Sequence, residues 1–159
     1  MTNEQDTFTF REVAMATGIT SKTIRNWLDS KTTARNLCAE IGREEGKWRR
    51  FPFADAIIIA LTGCLTKFGV NVENALYFSK GCLEITTSGN ICSVSFESFL
   101  SEGTSFYKNE LRVWKEGDSW VFSMSNEEDD RPIPHAFITI RPWKIARELA
   151  VKLELIDGE

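Results

Sequence analysis

Histidine is almost missing from this chain: His135 is the only one among 159 residues. A histidine-dependent mechanism would rest on that one side chain. It follows Pro134 and opens a strand-like run with no nucleophile motif beside it, so it reads as a strand-edge residue. Paired cysteines are missing too. Cys38, Cys64, Cys82 and Cys92 form no CxxC spacing, and a zinc site needs four close ligands. Scattered thiols with no secretory signal before them are expected to be reduced and buried, in a cytoplasmic protein. Long apolar runs are absent: the longest, from Ala56 to Leu61, is six residues, against about 20 for a membrane span. There is no internal repeat and no low-complexity segment. Nor is there an excess of positive charge: the net charge of −4 argues against uniform coating of nucleic acid. Glu127 to Asp130 are adjacent carboxylates without the alternating spacing and glycine of a calcium loop, and they read as a solvated loop. No catalytic residue, metal or cofactor is therefore expected.

What is present is 42% hydrophobic and 26% charged, a usual globular composition for one large or two small domains. The charge is uneven. Residues 1–80 hold 11 Lys and Arg against 9 Asp and Glu, while residues 81–159 hold 8 against 14. Within 11–50 the count is 9 against 5, so the cations gather near the start.

They surround the stretch Phe8 to Leu28, which predicts two short helices joined by a tight turn. Thr9 with Glu12 makes a capping box, and Phe8 with Val13 a hydrophobic staple. Gly18 suits the left-handed turn, and Thr20 or Ser21 caps the second helix. On that helix Ile24, Trp27 and Leu28 share a face for burial, which leaves Lys22, Arg25, Asn26 and Asp29 wet. Ala14, Gly18 and Ile24 meet the demands of a helix-turn-helix: close crossing, a turn, and a pin for the second helix. The plainer reading is an ordinary helical hairpin with a solvated face.

Residues 29–51 are polar and basic, and Lys47, Trp48, Arg49 and Arg50 arrive together. An aromatic among three cations suits a β-hairpin tip over a phosphate backbone. It also suits a solvated loop with Trp48 tucked inward, and both can hold at once. Residues 51–69 predict a buried helix with Ile57, Ile58, Leu61, Leu65 and Phe68 on its stripe. Asn71 caps a further helix closed by Gly81.

In this order the pieces resemble the MerR-type winged helix-turn-helix. The matching residues are Phe10-Arg11-Glu12-Val13-Ala14, Gly18, Thr23-Ile24-Arg25, Trp48-Arg49, Phe51, Asp55 and Phe68 to Glu73. The resemblance covers roughly residues 8–80. It implies a DNA-binding module whose second helix enters the major groove and whose wing touches the backbone. Phage excisionases and small terminase subunits use a similar module. Two features depart from the family: the segment before the wing is longer, and no long dimerisation helix follows. Cys82 and Cys92 lie where metal-responsive members place cysteines, but without that helix metal sensing is not expected.

The second half reads as a small α+β domain. Ile91 to Phe96 alternates weakly as a strand, and residues 98–108 are ambiguous. Leu111 to Lys115 and Trp120 to Ser125 predict a hairpin around Gly117-Asp118, with Val113 opposite Phe122 and Leu111 opposite Met124. His135 to Ile140 is a third strand. Pro142 opens a final helix with Trp143, Ala146, Leu149, Ala150 and Leu153 on one side.

The expectation is an α+β protein with a winged helix-turn-helix over 1–81 and a small α+β domain over 82–159. Its expected function is a bacterial or phage transcriptional regulator binding double-stranded DNA, in the cytoplasm or on the nucleoid. Lys22, Arg25 and Asn26 are the candidates for base edges, and Ser21 and Arg11 for phosphates. Lys47, Arg49 and Arg50 would hold the backbone with Trp48 bracing the loop. Dimer formation is expected through 82–159, by the final helix or by the hairpin face carrying Trp114 and Val121. The alternatives are a nucleoprotein assembly factor and a protein-interaction module on the same scaffold.

Overall fold

Thr9 starts the first helix in the computed structural model, which describes residues 7–29, 37, 50–87, 91, 94–102, 104–125 and 136–158. Its hydroxyl accepts from the Glu12 amide at 3.3 Å, and its own amide donates to Glu12 Oε2 at 2.6 Å. The capping box is complete and sets the start of α1 (Phe10–Thr17). Phe8 and Val13 are both buried, as a staple requires. At the other end Gly18 lies at φ +71° and donates its amide to Ala14 O, the left-handed stop that glycine tolerates best. Thr20, not Ser21, then accepts from the Thr23 amide ahead of α2 (Ser21–Asp29). Ile24 and Leu28 are buried and Trp27 half-buried, as the spacing predicts.

The chain before Phe10 is also tied down. β1 (Thr7–Thr9) pairs antiparallel with β2 (Arg50–Pro52), Phe8 opposite Phe51, so two distant segments close a two-stranded sheet beside α1.

The central element is α3 (Phe53–Lys67). Ile57, Ile58 and Ile59 are all buried, because α1, β2, α4 (Val72–Thr86) and α7 (Pro142–Lys152) pack around it. Phe68 departs from the predicted stripe: it is 58% exposed, since the helix stops one residue earlier and the chain turns through Gly69 at φ +88°. Asn71 caps α4 through the Asn74 amide at 2.9 Å. Gly81 does not close α4, contrary to expectation. It lies inside the helix, and a Cβ there would stand 2.8 Å from Phe122 Cζ, so its use is close packing and not termination.

No strand is formed by the described residues of the expected strand Ile91 to Phe96. Phe96 opens α5 (Phe96–Leu100) behind Ser95, and α6 (Ser105–Lys108) follows behind Thr104, whose hydroxyl accepts from the Tyr107 amide. The hairpin register is as predicted. β3 (Leu111–Glu116) and β4 (Ser119–Met124) pair Val113 with Phe122 and Leu111 with Met124, and Gly117 takes φ +61° in the turn. The third strand is the shorter β5 (Ile138–Ile140), on the other side of β3, giving the order β4-β3-β5. His135, Cys38, Cys92 and the acidic run 127–130 lie outside the described residues. Pro142 does open the last helix, whose Ala146, Leu149 and Ala150 are buried. The described residues thus hold seven helices and two small antiparallel sheets, an α+β fold. None of these helices is long and apolar enough to cross a membrane.

The surfaces expected to pair subunits are largely used within one chain. Leu149 is covered where α7 crosses α3, and Trp143 donates its indole N–H to Leu100 O at 3.3 Å. Trp114 is only 4% exposed and its indole donates to Glu116.

Candidate nucleic-acid interface

The α1–turn–α2 pair is held from below by packing and from within by hydroxyls. Thr17 donates to Val13 O at 2.8 Å and accepts from the Ile19 amide, so one side chain bridges the end of α1 and the turn. Ile19 rests on Gly63 of α3; a Cβ at 63 would meet its Cδ1 at 2.5 Å. A glycine thus lets the turn sit directly on the central helix. These two supports were not foreseen, although Thr17 and Gly18 together are a local signal for such a turn.

On this support α2 turns one face outward. Lys22, Arg25 and Asn26 are exposed, while Ser21 is half-buried at the helix start. Lys22 and Asn26 make no hydrogen bond or ion pair among the described residues. Arg25 is oriented: its guanidinium stands 5.6 Å from the Phe10 ring centroid, and Phe10 in turn meets Phe51 edge-to-face at 4.9 Å. This chain of contacts ties Arg25 to α1 and, through Phe10, to β2. Phe10 is thus a further site residue, missed because its ring is also a core residue.

Arg11 is exposed on the first turn of α1. Arg50 is exposed on β2, but two of its donors are committed: Nε to Thr7 Oγ1 at 2.8 Å and Nη2 to the Thr7 carbonyl at 2.7 Å. It clasps the two strands together and has at most its remaining N–H groups for a phosphate. Its charge also reaches Glu12. Hydrogen bonds from Thr9 backbone and side chain, and then the Arg50 charge, hold the Glu12 carboxyl below its ordinary pKa. Lys47, Trp48 and Arg49 lie outside the described residues.

Two cysteines of the described segments have raised thiol pKa values, from burial. Cys82 is wholly buried, and at half-buried Cys64 the Lys67 charge partly opposes the rise. Neither is the activated thiolate that nucleophilic chemistry needs. The arrangement around α2 offers donors and cations on a fixed helix, suited to binding a polyanion.

No protein-family model matches the chain, and no curated protein matches it.

Proposed function

We propose that the chain is a sequence-specific DNA-binding protein, a transcriptional regulator of bacterial or phage type with a MerR-like winged helix-turn-helix. The observation that carries this reading is the outward face of α2: Lys22, Arg25 and Asn26 exposed on one helix whose opposite face is locked on the core. Helix-borne Arg and Lys suit guanine edges and Asn suits adenine. Arg11 and Ser21 add phosphate contacts, with Lys47 and Arg49 from the wing. Two copies on paired half-sites complete the reading, since a single short recognition helix reads few base pairs. The pairing surface then lies away from the covered stripe of α7.

The test is selection of bound duplexes from a random pool, followed by titration at several salt concentrations. The expected result is enrichment of one short motif and a linear fall of log affinity with log salt. Absence of any salt-dependent duplex binding overturns the proposal. Binding without sequence enrichment moves the reading to a nucleoprotein assembly factor.

A further inference from the structure

We infer that Phe10 is a positioning residue for base recognition: its ring orders Arg25 before DNA arrives, so the sharpness of sequence choice at the base Arg25 reads is set from α1. The inference rests on the DNA reading above. It adds which of the three candidate side chains is ordered in advance, and by what.

The contact is anchored on both sides. Phe10 is the first residue of α1, directly after the Thr9 cap, so the capping box holds its backbone. Its ring meets Phe51 edge-to-face at 4.9 Å, and Phe51 is wholly buried. β2 is in turn held to β1 by the pairing of Phe8 with Phe51 and by the bonds from Arg50 to Thr7. On the other side Ile24, next to Arg25, is wholly buried, which fixes where the Arg25 side chain leaves α2.

Arg25 differs from its neighbours on the exposed face. Lys22 and Asn26 meet no ring and no polar partner among the described residues. Arg25 has no hydrogen bond or ion pair among them either, so the Phe10 ring, 5.6 Å from Cζ, is the group that acts on its guanidinium. A ring attracts a guanidinium through its charge and does not consume its N–H donors as an acceptor would. An arginine ordered only on binding loses rotamer freedom at that moment, and a contact that orders it earlier lowers the cost. A guanine edge takes arginine in one bidentate geometry. The saving therefore falls on the matched base and not on a mismatch.

The test has a step without DNA and a step with it. In the free full-length chain, the ring current of Phe10 should shift the Arg25 side-chain proton resonances upfield. Phe10→Leu should return them to the positions of an exposed arginine. Duplexes selected by the wild-type chain then serve as the DNA probe, with a urea curve for each variant to correct for the unfolded fraction. Phe10→Leu should weaken binding to the selected site about two- to fivefold, the range a cation–ring contact at an exposed site supplies. Binding should change little on duplexes altered at the base that Arg25→Ala ceases to distinguish. Added to Arg25→Ala, the Phe10 change should have no further effect on discrimination. Phe10→Tyr keeps the ring face and should restore it. Unshifted Arg25 resonances in the wild-type chain overturn the inference, even where Phe10→Leu fails to fold. An equal loss on all duplexes, or a loss additive with that of Arg25→Ala, also overturns it, because Phe10 then serves the fold alone. A wild-type chain that selects no motif overturns the DNA reading and the inference with it. Selection that a folded Phe10→Leu chain leaves unchanged overturns the inference alone.

Discussion

Arg25 answers to two neighbours, the Phe10 ring behind it and whatever lies in front of α2. The ring contact is exposed and contributes about 0.5–1 kcal/mol at most. A base contact would contribute about 1–3 kcal/mol of discrimination. The two are therefore separable: Arg25→Ala should weaken specific DNA binding by about 1–3 kcal/mol while shifting urea stability by less than about 1 kcal/mol. Titration of matched and mismatched duplexes, beside a denaturation curve, checks both. Glu12 gives a second residue-scale prediction. Its carboxyl has a lowered pKa in the folded chain, so the charged form is favoured by folding. That stability is present above the unfolded-chain pKa of about 4.3 and is lost as pH falls through the folded value. Glu12→Gln should therefore be less stable than wild type at pH 7, and the gap should close on acidification through the carboxylate range. The side chain is largely solvent-exposed, so the gap will be small; a constant gap from pH 7 to 3 would assign Glu12 a packing role instead.

At the scale of elements, glycines mark where helices touch. Gly81 lets α4 approach Phe122 of the hairpin, whose ring also meets Phe78 at 4.9 Å. Gly81→Val should destabilise the chain by about 1–3 kcal/mol through overpacking, even though valine is the better helix former. Urea denaturation followed by tryptophan fluorescence measures it, and a neutral or stabilising result would mean that Phe122 swings aside freely. The same residue shows what the sequence made legible. The capping box at Thr9, the Asn71 cap, the Pro142 start and the Gly117-Asp118 hairpin were readable because adjacent residues decide them. Gly81 was misread as a stop because glycine serves both left-handed ends and close contacts, and only distant Phe122 distinguishes them. Pairing of Thr7–Thr9 with Arg50–Pro52 was hidden for a similar reason, since partners so far apart leave no local pattern. Of the candidate site, the outward face of α2 was legible from helical spacing. The commitment of Arg50 to Thr7 was not, because charge in a sequence does not say which neighbour holds it.

At the scale of the whole molecule, α3 is shared. Its buried isoleucines are enclosed on one side by β2 and by α1, on which α2 packs, and on others by α4 and α7. One continuous cluster runs from Phe8 and Val13 through Ile57 and Leu61 to Leu149 and Ala150. The surface around α2 therefore depends on a helix at the other end of the sequence. A fragment of residues 1–81 loses α7 and the last residues of α4, and it uncovers apolar surface along α3. Each large apolar side chain exposed again forfeits about 1.5–3 kcal/mol, and a domain holds only about 5–15 kcal/mol in total. The fragment should accordingly lack a cooperative thermal transition and bind DNA without sequence preference, if at all. A subtler probe keeps the chain whole: Leu149→Ala should cost about 2–5 kcal/mol and lower DNA affinity only in step with the unfolded fraction. If the 1–81 fragment instead melts cooperatively and retains specific binding, the helical pair is self-sufficient and α7 serves the second half alone.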